Sequence, residues 1–104
     1  MKLEIVHVPG CPHVALLEQR LDQVLADHPR LVERAYRVVD DLASAEAVGM
    51  TGSPTLLVDG VDPFAETGLA PGVSCRLYRD EGGQVHGAPT VEALRHGLGL
   101  NRSA

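Results

Sequence analysis

The sequence predicts a mixed α/β fold with the element order β-α-β-α-β-β-(β)-α. Three observations carry this. Residues 2–8 place Ile5, Val6 and Val8 in a short apolar strand pattern. Between residues 12 and 27, Val14, Leu17, Leu21, Val24 and Leu25 recur at spacings of three and four, which makes one apolar stripe on a helix. Thr55–Val58 is uniformly apolar after Thr55, as a central strand covered on both faces should be.

Each element has its own justification. On the first helix, Glu18, Arg20, Asp22 and Gln23 take the solvent side, and His28-Pro29 ends it, because the residue before a proline is pushed out of the helical region. Residues 33–39 form a second strand with Ala35, Val38 and Val39 available for burial. Asp40 or Asp41 then caps a short helix, Leu42–Val48, and Gly49 closes it. Residues 51–54 form a loop before the third strand, and Asp59-Gly60 is a turn. Residues 61–72 are irregular, with Pro63, Gly68, Pro71 and Gly72, and read either as a flap over a site or as a surface excursion. Residues 73–79 form a fourth strand, and Glu81-Gly82-Gly83 turns it into a short fifth around Val85. Pro89-Thr90 opens a last helix that buries Val91, Leu94 and Leu98, and residues 101–104 are expected to fray. The first half is a βαβ unit, which demands parallel strands and a right-handed crossover. The second half is a β-meander followed by a helix.

A chain of 104 residues is expected to form one domain over 1–104. Its core must be aliphatic, since it has no Trp, one Phe and two Tyr. A net charge of −5 argues against nucleic acid as a partner. No basic run and no long apolar run points to a membrane. Residues 1–8 read as a strand rather than a signal peptide, so the expected location is the cytoplasm, where thiols stay reduced. Two cysteines in that compartment suggest chemistry or metal binding rather than a structural disulfide.

Cys11 is the first candidate. It lies in Val8-Pro9-Gly10-Cys11-Pro12-His13-Val14, between the first strand and the first helix. Pro12 suits the first helical position, which makes Cys11 the expected N-cap. The helix dipole there favours a thiolate, the nucleophilic and metal-binding form. The plainer alternative is a buried small hydrophobe.

The element order, with a Cys-Pro pair opening the first helix, resembles the thioredoxin fold. The segment Gly49-Met50-Thr51-Gly52-Ser53-Pro54-Thr55-Leu56-Leu57-Val58-Asp59-Gly60 is similar to the stretch in which thioredoxins and glutaredoxins carry a cis-proline before the third strand. The resemblance implies a mixed four-stranded sheet with helices on both faces. It also implies a cis Pro54 beside Cys11, with Pro12, Ser53 and Pro54 contacting substrate and Ser53 offering backbone groups to a bound peptide or thiol. Cys11-Pro12-His13-Val14 is similar to the Cys-Pro-His-Cys site of periplasmic disulfide oxidases, with Val14 in place of the last cysteine. This is a monothiol version of that site. His13 would support the Cys11 thiolate by charge or by a hydrogen bond, or would be an ordinary polar residue of the first turn.

Cys75 is the second thiol. If it reaches Cys11 it would resolve a mixed disulfide, or the pair would hold a soft metal such as Hg²⁺. Organomercurial lyases use two cysteines a comparable distance apart, with an aspartate three residues after the first. The stretches around Ser53–Gly60 and Ser74–Arg79 together resemble small bacterial proteins of thioredoxin-family or alkylmercury-lyase-like type. Here Val14 holds the place of that aspartate, so the proton donor would be Asp62, Glu66 or His13. In a regular thioredoxin sheet the fourth strand starts far from the active cysteine, so the expectation leans to Cys75 as a buried structural residue. The sulfurs meet only if residues 61–72 carry the chain back, which an extended segment can do at about 3.3 Å per residue.

Other signals are weaker. The five histidines, His7, His13, His28, His86 and His96, are scattered with no i,i+4 pair, so no histidine zinc site is expected. Arg76 and Arg79 read as solvated strand charges or as a site for the carboxylates of a small thiol. No cofactor is expected. Three functions stay open. The leading one is thiol-disulfide exchange by Cys11 with a low-molecular-weight thiol or a protein disulfide. The second is binding or cleavage of an organomercurial, or binding of Hg²⁺, by Cys11 and Cys75. The third is a non-catalytic interaction module.

Overall fold

In the computed structural model, which describes residues 1–26, 28 and 32–100, the chain opens with β1 (Lys2–His7), the middle strand of a three-stranded sheet. On one side lies β2 (Glu33–Val38), parallel, running from Lys2 opposite Glu33 to His7 opposite Val38. On the other lies β4 (Thr55–Val58), antiparallel, with Leu3 opposite Val58 and Val6 opposite Thr55. The expected end of the first helix at Asp27 and Pro29, and the expected fraying of 101–104, fall outside the described residues.

Side-chain alternation along β1 and β4 feeds two cores. Leu3, Ile5 and Leu56 pack with Leu17, Leu21, Val24 and Leu25 of α1 (Val14–Leu25) and with Leu94 of α3 (Val91–Gly97). Val6 and Leu57 pack with Val39, Met50 and Ala45 of α2 (Leu42–Val48). The three helices therefore cover both faces of the sheet. Burial of these aliphatic side chains contributes roughly 1.5–3 kcal/mol each.

The helix ends follow local chemistry. Asp41, not Asp40, caps α2: its carboxylate accepts from the Ser44 amide at 2.7 Å and the Ser44 hydroxyl at 2.9 Å. Those donors hold the Asp41 carboxyl below its usual range. Gly49 ends the helix at φ 77°, a conformation that favours glycine. On α3, the Thr90 hydroxyl accepts from the Ala93 amide at 3.1 Å.

Three expectations about the sheet are corrected, the first being that residues 51–53, expected in a loop, form a strand. Thr55–Val58 is an edge of the hydrogen-bonded sheet, not its centre, and is buried because both faces are covered. The single fourth strand over 73–79 is two pieces. β5 (Gly72–Cys75) pairs in parallel with β3 (Thr51–Ser53), and β6 (Tyr78–Arg79) pairs antiparallel with β7 (Val85–His86). Among the described residues there is thus one three-stranded sheet and two two-stranded pairs, rather than one sheet of four. The break falls at Arg76, whose side chain turns inward to a buried carboxylate, and the two halves then serve different partners. Among the described residues no helix is long and apolar enough to cross a membrane.

Candidate thiol site

Cys11 stands in the turn between β1 and α1. Gly10 takes φ +67°, and the Cys11 amide donates to the Val8 carbonyl at 3.3 Å. The expected N-cap role is corrected: the cap of α1 is His13, with no side-chain cap bond, and the Leu17 amide donates to the His13 carbonyl at 3.0 Å. Cys11 and Pro12 precede the helix, because residues 11–14 form a tighter turn in which the Val14 amide reaches the Cys11 carbonyl only at 3.5 Å. Cys11 is half-buried with a free thiol, so it is not a closed core residue. His13 is also half-buried, and its ring lies so close over Gly87 that a methyl group there would overlap it.

The Ser53–Pro54 bond is cis, as the resemblance implies. Ser53 itself is only 1% exposed, and its polar groups are consumed internally. Its hydroxyl accepts from the Val8 amide at 3.0 Å, and its carbonyl accepts from the Arg76 amide at 3.1 Å. The first of these bonds ties the cis-proline segment to the residue that leads into the Cys11 turn. The second joins it to β5.

The pairing of β5 with β3 corrects the expected placement of Cys75. The Gly72 amide donates to the Met50 carbonyl at 3.0 Å, and Cys75 stands opposite Ser53. The irregular segment therefore does carry the chain back, and Cys75 arrives at the end of the molecule where Val8 enters the Cys11 turn. Cys75 is exposed with a free thiol, which removes the expectation of a buried structural cysteine.

Beneath these residues lies a charged cluster. Arg76 and Asp62 form an ion pair at 2.6 Å, with side-chain exposures of 4% and 10%. The Arg76 guanidinium also donates to the Phe64 carbonyl at 2.7 Å and lies 4.7 Å from the centre of the Tyr78 ring. Phe64 meets Tyr78 edge-to-face at 5.8 Å between ring centres. Arg76 is therefore not a solvated strand charge, and Asp62, one of the three candidate proton donors, is committed to Arg76. Tyr78 is 7% exposed, and its hydroxyl donates to the Pro54 carbonyl at 2.6 Å. Burial pushes its phenol far above the ordinary value, and the nearby Asp62 and Cys11 add to the rise while Arg76 opposes it.

Sequence reasoning missed Tyr78 and the inward turn of Arg76. Asp62 and Arg76 lie 14 residues apart across an irregular loop, a separation with no periodicity to reveal it. Among the described residues no group of three or more His, Cys, Asp or Glu side chains could hold a metal ion. Compared with protein-family models, with curated proteins and with solved structures, the chain matches none.

Proposed function

We propose that this chain is a cytoplasmic thioredoxin-like thiol protein in which Cys11 exchanges disulfides and Cys75 serves as the second thiol. The observation that carries the reading is the register of β5 on β3. It places exposed Cys75 opposite Ser53, and Ser53 is bonded to the Val8 amide at the entrance to the Cys11 turn. The pairing of β1 with β2 and β4, and helices on both faces, support the thioredoxin-like reading. Free thiols fit a reducing compartment, and a net charge of −5 fits a partner other than nucleic acid.

In the first step the Cys11 thiolate attacks one sulfur of a disulfide RSSR. A Cys11–S–S–R bond forms, the RS–SR bond breaks, and the departing RS⁻ takes up a proton. In the second step the Cys75 thiolate attacks the Cys11 sulfur and displaces the second RS⁻. The two protein thiols are then oxidised to one disulfide, and RSSR is reduced to two RSH. His13, held over Gly87 two residues from Cys11, is the group beside the nucleophile able to assist proton movement.

Mass spectrometry after treatment with bis(2-hydroxyethyl) disulfide tests this. The wild type should pass through a Cys11 adduct to an internal disulfide, Cys75→Ser should stop at the adduct, and Cys11→Ser should form neither. Labelling of Cys75 alone would overturn the reading. A second reading rests on the same register: Cys11 and Cys75 would together bind Hg²⁺ as cargo.

A further inference from the structure

The strand edge that leads into the cis-proline segment is already filled by the chain itself. Extended peptides dock on sheets by pairing with free backbone N–H and C=O groups of an edge strand. The β3 edge is tied through Ser53 to Val8, three residues before Cys11. β5 lies along it from the Gly72–Met50 bond to the Arg76–Ser53 bond, at 3.0 and 3.1 Å. The fit is close enough that a methyl group built on Gly52 would sit 2.7 Å from the Arg76 Cβ. The buried Asp62–Arg76 pair then pins the segment that follows to the loop that precedes it. Ser53, at 1% exposure, has no surface left to offer.

Resting on the thiol-exchange reading above, we infer that the substrate of Cys11 is a low-molecular-weight disulfide, and that β5 is the strap that excludes an extended polypeptide. A small disulfide needs only to reach the half-buried Cys11 thiol, which follows a surface turn and precedes exposed Pro12. A peptide disulfide docking along the cis-proline segment would need the β3 edge that the protein has already spent on β5. The Asp62–Arg76 pair is the positioning element of this strap and takes no part in the chemistry.

The test compares two probes with the same leaving group. One is free cysteine and the other an extended ten-residue peptide with a central cysteine, both activated as the mixed disulfide with thionitrobenzoate. Release of thionitrobenzoate by Cys11 is followed by absorbance, with Cys75→Ser as background so that only the first step is read. The peptide should react no faster than free cysteine. A peptide advantage of about tenfold or more, equivalent to about 1.4 kcal/mol of docking, would overturn the inference. If neither probe reacts with Cys11, the thiol-exchange reading itself fails, a result distinct from a peptide that reacts faster. The double variant Asp62→Ala/Arg76→Ala loosens the strap without leaving a lone buried charge, and should confer a peptide advantage. A folded double variant with rapid exchange at the residue-76 amide and no such gain would count against the strap. Should that variant fail to fold, hydrogen exchange of the wild-type protein decides. The Arg76 amide should be protected like the amides of β1, and exchange at the rate of an exposed loop would overturn the inference.

Discussion

Asp62 and Arg76 form an ion pair at 2.6 Å that is almost wholly withdrawn from water and joins the start of the irregular loop to the residue after β5. Removing one partner of such a pair leaves the other charge buried and unpaired. Asp62→Ala and Arg76→Ala are each expected to destabilise the fold by about 3–5 kcal/mol, while the apolar double variant Asp62→Leu/Arg76→Met should lose far less. Urea unfolding of the four proteins checks this. Additive losses would mean that the pair is not coupled.

Tyr78 makes stability depend on alkaline pH. Its folded value is raised above the ordinary 10.0, chiefly by burial, so the folded state holds a proton that the unfolded state releases first. The contribution is fully present below about pH 10 and is lost as pH rises further. Tyr78→Phe should flatten that limb. It should also destabilise the protein at neutral pH by about 1–3 kcal/mol, because the Pro54 carbonyl loses its partner. Tyr36, also raised by burial but 47% exposed, should leave only a shallower slope. Unfolding midpoints of both proteins from pH 7 to 11 decide the matter.

Gly52 and Gly87 are expected to respond differently to alanine. Gly52 has φ +119°, and a methyl group there would press on the Cβ and backbone of Arg76. Gly52→Ala should cost about 1–3 kcal/mol from backbone strain alone and should loosen β3 from β5. At Gly87 the obstacle is the His13 ring, whose Nδ1, Cγ and Cε1 would all overlap the added methyl, so the whole ring must move. Gly87→Ala should therefore cost about 1–3 kcal/mol from overpacking and alter the Cys11 alkylation rate in the same direction as His13→Ala. Thermal melts and iodoacetamide kinetics on both variants separate the two effects.

Mercury titration tests the second reading. If the two thiols act together, one Hg²⁺ should bind per chain, and Cys11→Ser and Cys75→Ser should each abolish tight binding. Because Cys75 is exposed, Cys75→Ser should change stability by no more than about 0.5 kcal/mol. Undiminished tight binding by Cys75→Ser would show that the cysteines act apart.

Most elements carried by local chemistry were legible in the residues alone. The apolar stripe of α1, the limits of α2 between an aspartate cap and a left-handed glycine, the threonine cap of α3 and the apolar run of β4 all follow from residues within a few positions of one another. Cys11 was legible as a candidate for the same reason, since Gly10, Cys11 and Pro12 are contiguous. The turn that delays α1 to Val14 depended on backbone geometry that the Cys-Pro pair only suggested. The rest of the site depends on contacts between residues distant in the chain. The division of residues 73–79 into β5 and β6, the return of Cys75 to Ser53, and the burial of Arg76 against Asp62 all depend on contacts across an irregular loop. There periodicity is silent, and the free energy of pairing a sheet edge and a buried charge chooses the path.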